Sequence, residues 1–201
     1  MLRHRLRRQT GRHKHYSPDR LWQKRGVRVL PKLTLVLGGA ASGKSAFAER
    51  LIAATARPRV YIATAQASDA EMQARIARHV AARGPGWQTV EAPLSVAQAV
   101  ARADPAAAVL IDCATLWLGN LMFANADTAA ETATLLSAID ATAAPLVVVS
   151  NEIGLSPVPD HPLARRFRDE QGTLNQRLAA QADLAVLVVA GLPMLLKGHL
   201  P

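Results

Sequence analysis

Short apolar runs alternate with helical patterns along most of the chain. The runs are rich in Val, Ile and Leu, and they predict buried strands at residues 33–38, 59–63, 87–91, 108–112, 145–150 and 184–190. The intervening patterns predict helices near residues 44–54, 69–82, 95–103, 127–142 and 161–181. Strands that are apolar throughout and separated by helices are typical of a mainly parallel sheet covered on both faces. We therefore expect an α/β fold, without a repeat or a second core.

Composition fits one globular domain. The chain has 201 residues, half of them hydrophobic, which is enough for a substantial core. The apolar tract at residues 184–196 is interrupted by Gly191 and Pro193 and is shorter than the roughly 20 residues that cross a bilayer. We therefore predict no membrane span. The single cysteine, Cys113, excludes an intrachain disulfide and indicates a reduced, cytoplasmic protein.

Positive charge is concentrated at the N-terminal end. Residues 1–32 hold 11 Lys or Arg and one acid, Asp19, whereas residues 33–201 hold 13 basic and 14 acidic residues. The near-neutral charge of the second part gives no support for nucleic-acid binding. Residues 1–32 show no periodicity, and we interpret them as a disordered extension or as the product of a start codon placed too far upstream. A signal peptide is the alternative, but the basic part is too long for one. Residues 33–201 form the expected catalytic domain.

The segment GGAASGKS, residues 38–45, lies directly after a predicted strand and directly before a predicted helix. Gly38 is followed by four residues and then by Gly43, Lys44 and Ser45, which is the spacing of a phosphate-binding loop. The glycines let backbone N–H groups surround a phosphate chain, the lysine reaches the terminal phosphates, and the serine hydroxyl binds Mg²⁺. The start of the helix adds a partial positive charge. The motif predicts a site for a nucleoside triphosphate.

Polar residues also follow other predicted strands, at the edge where parallel sheets bind ligands. Asp112 ends the strand at residues 108–112 and fits the acid that holds Mg²⁺, directly or through water. The other polar residues at strand ends are Thr64, Gln66, Ser150, Asn151 and Glu152. Thr64 could instead cap the next segment, and Asn151 could simply form a turn. Their coincidence on one edge favours a ligand site.

Four stretches of the chain resemble, in order and spacing, the bifunctional adenosylcobinamide kinase and adenosylcobinamide-phosphate guanylyltransferase family of cobalamin biosynthesis. They are residues 38–45, 61–91, 109–123 and 148–193, and the stretch RFRDEQGTLNQRLA within the last is especially specific. The resemblance implies a RecA-like P-loop fold and a homotrimer. It also implies two reactions, in which ATP or GTP phosphorylates adenosylcobinamide and GTP then supplies GMP to adenosylcobinamide-phosphate.

The resemblance assigns a role to His79, in the segment RIARHVAAR. Taken alone, His79 would be a surface residue, with Arg75 and Arg83 four residues away on the same helical face. In the family the second reaction passes through a guanylylated histidine, and His79 stands at the matching position. Its imidazole would attack the α-phosphorus of GTP and release pyrophosphate. His79 and Lys44 are therefore the expected catalytic residues, and the two arginines could offset phosphate charge.

Family resemblance further implies contacts to the nucleotide. These fall on Gly38, Gly39, Ala40, Ala41, Ser42, Gly43, Lys44, Ser45, Thr64, Ala65, Gln66, Val80, Ala81, Ala82, Arg83, Glu91 and Asp112. Guanine needs an acceptor for its N1 and N2 hydrogens, and Glu91 or Asp112 could provide it. A base or ribose contact therefore competes with the Mg²⁺ role of Asp112, which Ser45 would share. Many family members carry arginine where this chain has Ala41, and Arg75 or Arg83 could replace that missing charge.

Three other functions stay open from the residues alone. A small-molecule kinase without the guanylyl step would use Lys44 and Asp112 but not His79. A RecA-like nucleic-acid ATPase would draw on the basic N-terminal residues, but the near-neutral domain argues against it. A nucleotide-binding regulator without turnover would release no pyrophosphate from GTP.

One helical face in the predicted helix at residues 161–181 joins Arg168, Gly172 and Asn175, at spacings of four and three. We expect this face to pack at a subunit boundary or to line the corrinoid site, with a solvated surface as the alternative.

Overall fold

A computed structural model describes residues 29–67 and 69–201 as one seven-stranded sheet with helices around it. The strands are β1 (Leu33–Gly38), β2 (Arg59–Ala63), β3 (Trp87–Glu91), β4 (Ala108–Asp112), β5 (Leu146–Asn151), β6 (Leu184–Val189) and β7 (Leu192–Lys197). The helices are α1 (Lys44–Ala53), α2 (Ala70–Arg83), α3 (Val96–Ala101), α4 (Ala114–Phe123), α5 (Thr128–Ala141) and α6 (Pro162–Gln181).

Six neighbouring strands of the sheet are parallel. The strand order is β3-β2-β4-β5-β1-β6-β7, and the last strand alone in this sheet pairs antiparallel, with β6. The strand β5 therefore lies between β1, which leads into the phosphate-binding motif, and β4, which ends at Asp112. The expected mainly parallel sheet is confirmed. The carboxyl ends of the parallel strands meet at one edge.

Two apolar layers cover the two faces of the sheet. Successive side chains of β1 point to opposite faces, so that Leu33, Leu35 and Leu37 join one core cluster and Val36 joins the other. Residues of α3, α4, α5 and α6 pack in the first cluster, and α1 packs in the second. All six residues of β1 are buried, as a strand covered on both faces requires.

Polar side chains begin three of the helices. Asp69 Oδ1 accepts a hydrogen bond from Met72 N at 2.7 Å, and Asp127 Oδ1 accepts from two backbone N–H groups at the start of α5. His161 Nδ1 accepts from Leu163 N at 3.2 Å, with Pro162 at the first position of α6. These contacts satisfy N–H groups that have no partner within the helix.

Two elements of the structure were not predicted from the sequence. The helix α4 is apolar on most sides, and Trp117, Leu118 and Leu121 are buried in it, so it shows no amphipathic period. The strand β7 follows a two-residue turn in which Ala190 and Gly191 both have positive φ, 51° and 77°. Such a turn joins antiparallel strands tightly, and the apolar tract at residues 184–196 is therefore a hairpin.

The folded part of the chain begins before residue 33. Leu30 is only 7% exposed and packs in the same core cluster as α1. Lys32 forms an ion pair with Asp140 and also donates to the carbonyl of Asp140. The predicted disordered extension otherwise falls on residues 1–28, which lie outside the described residues. Within the described part of the chain, no helix is both long and apolar enough to cross a membrane.

Candidate active site

The phosphate loop, residues 38–45, is closely packed and leads directly into α1. A Cβ on Gly38 would lie 2.4 Å from Ser42 Oγ and 2.7 Å from the Val188 carbonyl oxygen, so this position has room only for glycine. Gly43 has a φ of 90°, in the region that favours glycine, and directly precedes α1. Lys44 Nζ donates to the Gly39 carbonyl at 3.0 Å. The loop therefore brings a cation and the start of a helix together.

Two backbone contacts hold the phosphate loop from outside. Gly191 N donates to the Ser42 carbonyl at 2.8 Å, and Glu152 N donates to the Gly38 carbonyl at 3.1 Å. The first contact comes from the turn between β6 and β7, and the second comes from the end of β5. Gly191 was treated in the sequence only as an interruption of an apolar tract, and the glycine between two apolar runs was the available signal of a turn.

Asp112 lies at the carboxyl edge, at the end of β4, and is partly exposed. The Tyr61 hydroxyl donates to its Oδ2 at 3.1 Å. This bond fixes the carboxylate in one orientation and leaves its second oxygen for another partner. Ser45, in the first turn of α1, is also partly exposed. A hydroxyl and a carboxylate oxygen are ligands of the type that Mg²⁺ takes beside phosphate oxygens, so these residues fit the ion.

Charged groups surround Tyr61 near this carboxylate. Burial, followed by the negative charge of Asp112, raises the pKa of the Tyr61 hydroxyl, so it stays a proton donor. Burial and Asp112 also raise the pKa of Glu49 on α1, whereas the cations Arg83 and Arg50 act in the opposite direction. Arg83 is thus close enough to oppose the negative charge of this carboxylate pair.

Arg83, the last residue of α2, is engaged by the protein itself. Its guanidinium carbon lies 3.7 Å from the centroid of the Tyr61 ring and 5.7 Å from that of Trp87. Its Nη2 donates to Thr89 Oγ1 at 3.2 Å. Its Nε is buried and has no hydrogen-bond partner among the described residues. Arg83 therefore anchors α2 against β2 and β3, and its contact with the nucleotide stays a prediction.

His79 lies one helical turn before Arg83 and is exposed on α2. Among the α2 side chains whose burial is described, none is in the core; Met72, Ile76 and Arg83 are half-buried. Val80, Ala81 and Ala82 are exposed next to His79. The surface position matches what the helical pattern alone indicated, and the imidazole is accessible to a substrate.

The segment after β2 divides into a buried residue and two accessible ones. Thr64 is fully buried, and its hydroxyl bonds both Cys113 N at 2.8 Å and the Cys113 carbonyl at 2.9 Å. Asn120 Nδ2 donates to the Thr64 carbonyl at 2.8 Å. The Thr64 side chain therefore joins the ends of β2 and β4 beneath the surface. Ala65 is half-buried and Gln66 is exposed, so these two can face a ligand.

Glu91 and Asp112 flank the same position of β2. In the parallel register, Ala63 pairs with Glu91 on β3 and with Asp112 on β4. Two carboxylates thus end the strands on either side of β2, at the edge that also holds the phosphate loop. Glu91 is exposed, and it can accept hydrogen bonds from a ligand base.

The end of β5 rests on a buried polar network that the sequence did not predict. Ser150 Oγ lies 2.6 Å from Asn175 Oδ1 and 2.8 Å from Gln171 Nε2. Asn175 Nδ2 donates to the Asn151 carbonyl at 3.0 Å. Asn175 is 5% exposed, so the expectation of a subunit boundary, a corrinoid-lining face or a solvated surface is wrong for this residue. The i, i+4 spacing of Gln171 and Asn175 was the available signal of a shared buried face.

Comparison with known proteins decides the family. The model of the family described as "Cobinamide kinase / cobinamide phosphate guanyltransferase" matches residues 34–196. This chain belongs to that family. It is therefore a bifunctional enzyme, and the resemblance drawn from the sequence motifs is confirmed.

This chain aligns with almost the whole length of two named relatives. "Bifunctional adenosylcobalamin biosynthesis protein CobP" of Pseudomonas aeruginosa is 45% identical over 168 residues, 82% of this chain and 97% of that protein. "Bifunctional adenosylcobalamin biosynthesis protein CobU" of Salmonella typhimurium is 41% identical over 181 residues, 82% of this chain and 99% of that protein. Among solved structures, the flagellar accessory protein FlaH of Methanocaldococcus jannaschii is similar with a TM-score of 0.49 and 11% identity, covering 85% of this chain and 80% of that chain.

Proposed function

We propose that this enzyme phosphorylates adenosylcobinamide with ATP or GTP and then transfers GMP from GTP to adenosylcobinamide-phosphate, giving adenosylcobinamide-GDP. The main support is the phosphate loop, where glycine backbone, Lys44 and the start of α1 converge at the same sheet edge as Asp112. The family description and the names of the relatives support the pair of reactions.

In the kinase step, the phosphate loop holds the triphosphate through its N–H groups, Lys44 and the start of α1. Ser45 and Asp112 would hold Mg²⁺, which neutralises charge on the phosphates when it is bound. The substrate hydroxyl attacks the terminal phosphorus, the bond to the nucleoside diphosphate breaks, and the hydroxyl proton is released. Lys44 acts by stabilising negative charge on the transferred group.

In the guanylyl step, His79 is the nucleophile. A nitrogen–phosphorus bond forms between its imidazole and the α-phosphorus of GTP, and the bond to pyrophosphate breaks. An oxygen of adenosylcobinamide-phosphate then attacks the same phosphorus, the nitrogen–phosphorus bond breaks, and the imidazole is free again. The exposed position of His79 supports this role, because both GTP and a large corrinoid can reach it.

The nucleoside is held, in this proposal, at the edge formed by the ends of β2, β3 and β4. The residues available there are Ala65, Gln66, Glu91 and Asp112. Val80, Ala81 and Ala82, which follow His79 and are exposed, would also contact the nucleotide. Glu91 is the better acceptor for guanine, since Tyr61 already engages Asp112. A homotrimer and a cytoplasmic location stay predictions from the resemblance and from the composition.

The test is covalent labelling. The protein is incubated with Mg²⁺ and GTP labelled at the α-phosphate, without corrinoid, and we expect one GMP on His79 and release of pyrophosphate. The label should be lost in acid and retained in alkali, as a phosphorus–nitrogen bond to imidazole requires. His79→Ala should abolish labelling and guanylyl transfer, while phosphorylation of adenosylcobinamide survives.

His199→Ala is the matched control, because His199 is also exposed but lies near the C-terminus, after β7. It should be labelled as the unaltered protein is. Peptide mapping that finds the label on another residue, or full guanylyl transfer by His79→Ala, would contradict the proposed intermediate. Phosphorylation without any GMP transfer would indicate a kinase alone.

A further inference from the structure

Tyr61 contacts two elements that belong to different parts of the site. It lies in the middle of β2 and is 9% exposed. Its hydroxyl donates to Asp112 Oδ2 at 3.1 Å, and its ring lies under the Arg83 guanidinium at 3.7 Å. One side chain therefore joins the carboxylate at the end of β4 to the last residue of α2.

Among the described residues, few other contacts attach the C-terminal half of α2 to the sheet. The residues from Ala77 to Ala82 are exposed, and Ile76 is half-buried. Arg83 contacts Tyr61, Trp87 and Thr89, all on β2 and β3. The Tyr61 and Trp87 rings meet edge to face, with centroids 6.1 Å apart and an angle of 88°, and both rings lie near the guanidinium.

We propose that Tyr61 is a positioning residue that holds the helix carrying His79 in register with Asp112. The ring retains Arg83 and therefore the end of α2, and the hydroxyl fixes this ring to the carboxylate. His79 lies four positions before Arg83, a rise of about 6 Å along a helix. Movement at Arg83 is therefore transmitted to the imidazole. The part of this inference that concerns catalysis rests on the proposed guanylyl-histidine.

The two contacts of Tyr61 can be removed separately. Tyr61→Phe keeps the ring and loses the hydrogen bond to Asp112, whereas Tyr61→Leu loses both contacts. Arg83→Met removes the cation that stacks on the Tyr61 ring, and Arg83→Lys keeps a positive charge there. Arg59→Met is the matched control, because the Arg59 guanidinium lies 6.0 Å from the other aromatic ring, Trp87, but belongs to β2.

Hydrogen–deuterium exchange of the backbone N–H groups of residues 76–83 measures the anchor without any substrate. We expect Tyr61→Leu and Arg83→Met to speed exchange there about tenfold or more, Arg83→Lys to restore part of the protection, and Tyr61→Phe and Arg59→Met to leave it unchanged. If Tyr61→Leu fails to fold, Arg83→Met tests the same contact by changing the partly exposed partner. Wild-type exchange in Arg83→Met would overturn the anchor.

Guanylylation of His79 measures the positioning. We expect Tyr61→Phe to lower kcat for GMP transfer to His79 about tenfold with KM for GTP nearly unchanged, because α2 stays anchored while Asp112 is no longer fixed relative to the imidazole. An unchanged kcat, with or without a tenfold rise in KM for GTP, would overturn the role of the hydroxyl. Absence of label on His79 in the unaltered protein would instead refute the proposed function, and the exchange experiment would still decide the anchor.

Discussion

The N–H of Gly191 donates a hydrogen bond to the carbonyl of Ser42 at 2.8 Å. The turn between β6 and β7 therefore supports the phosphate loop directly, although the two are almost 150 positions apart in sequence. A Cβ on Gly43 would also lie 3.2 Å from Gly191 Cα. The loop and the turn are packed backbone against backbone.

Gly191→Ala should weaken nucleotide binding. Gly191 has a φ of 77°, and a non-glycine residue in this region costs roughly 1 kcal/mol, which the turn can relieve by shifting away from Ser42. We expect a several-fold rise in the Kd for GTP by calorimetry. Ala190→Gly is the control, since Ala190 has a φ of 51° and glycine relaxes it. Equal affinities for the two variants would show that the turn does not support the loop.

Gly38→Ala should disrupt the phosphate loop. The new Cβ would meet Ser42 Oγ at 2.4 Å and the Val188 carbonyl at 2.7 Å, so the loop must move. We expect the affinity for GTP and for ATP to fall at least tenfold, with the fold retained by circular dichroism. Gly172→Ala, where no atom lies within 4 Å of the added Cβ, should bind as the unaltered protein does. Normal binding by Gly38→Ala would contradict the geometry of the loop.

Lys44→Ala should impair both reactions. A charge-assisted hydrogen bond to the terminal phosphates contributes about 1.5–3 kcal/mol, which corresponds to more than a tenfold change. Phosphorylation of adenosylcobinamide and binding of GTP should both fall by at least that factor. Lys197→Ala, which removes hydrogen bonds to the Ala179 and Ala180 carbonyls only, should leave GTP binding intact. The phosphate-loop assignment fails if Lys44→Ala retains wild-type kinase activity and GTP affinity.

Asn175→Ala should act first on stability. The substitution removes the hydrogen bonds that Asn175 makes to Ser150, Gln171 and the Asn151 carbonyl, at a cost of about 1–3 kcal/mol. Urea unfolding should show a lower midpoint with an unchanged m-value. Gln176→Ala, one residue further on and exposed, should change the midpoint little. A wild-type midpoint for Asn175→Ala would contradict the buried network.

Leu30→Ala should destabilise the domain by about 2–5 kcal/mol, because Leu30 is buried against the cluster that contains α1. Val29→Ala, at a side chain that is 84% exposed, is the control and should cost less than about 0.5 kcal/mol. Urea denaturation measures both. Truncations should accordingly stop before residue 29, since removal of residues 1–30 also deletes Leu30.

Most of the sheet could be predicted from the sequence, because strands buried on both faces have continuous apolar sequences. The phosphate loop could also be predicted, since its glycines and its lysine act through local geometry. The helix α4 could not, because a helix surrounded by apolar partners has no polar face to reveal its period. The strand β7 was merged with β6 because a two-residue turn hardly interrupts an apolar tract.

The side-chain contacts of the site were less predictable for a different reason. Thr64 and Asn175 have polar side chains that bond buried backbone groups brought from distant parts of the chain, Cys113 and Asn151. Arg83 stacks on Tyr61, a contact that the sequence did not predict. Neither relation follows from local spacing, because each depends on the order of strands in the sheet.

Because β5 lies between β1 and β4, backbone pairing sets the distance between the phosphate loop and Asp112. Neighbouring strands lie about 4.8 Å apart, so the strand that leads into the phosphate loop and the strand that ends at Asp112 are held roughly 10 Å apart by two ladders of peptide hydrogen bonds. No side chain sets this span. The gap between the phosphate loop and Asp112 is therefore set by backbone pairing, and side-chain substitutions on the outer helices should leave it unchanged.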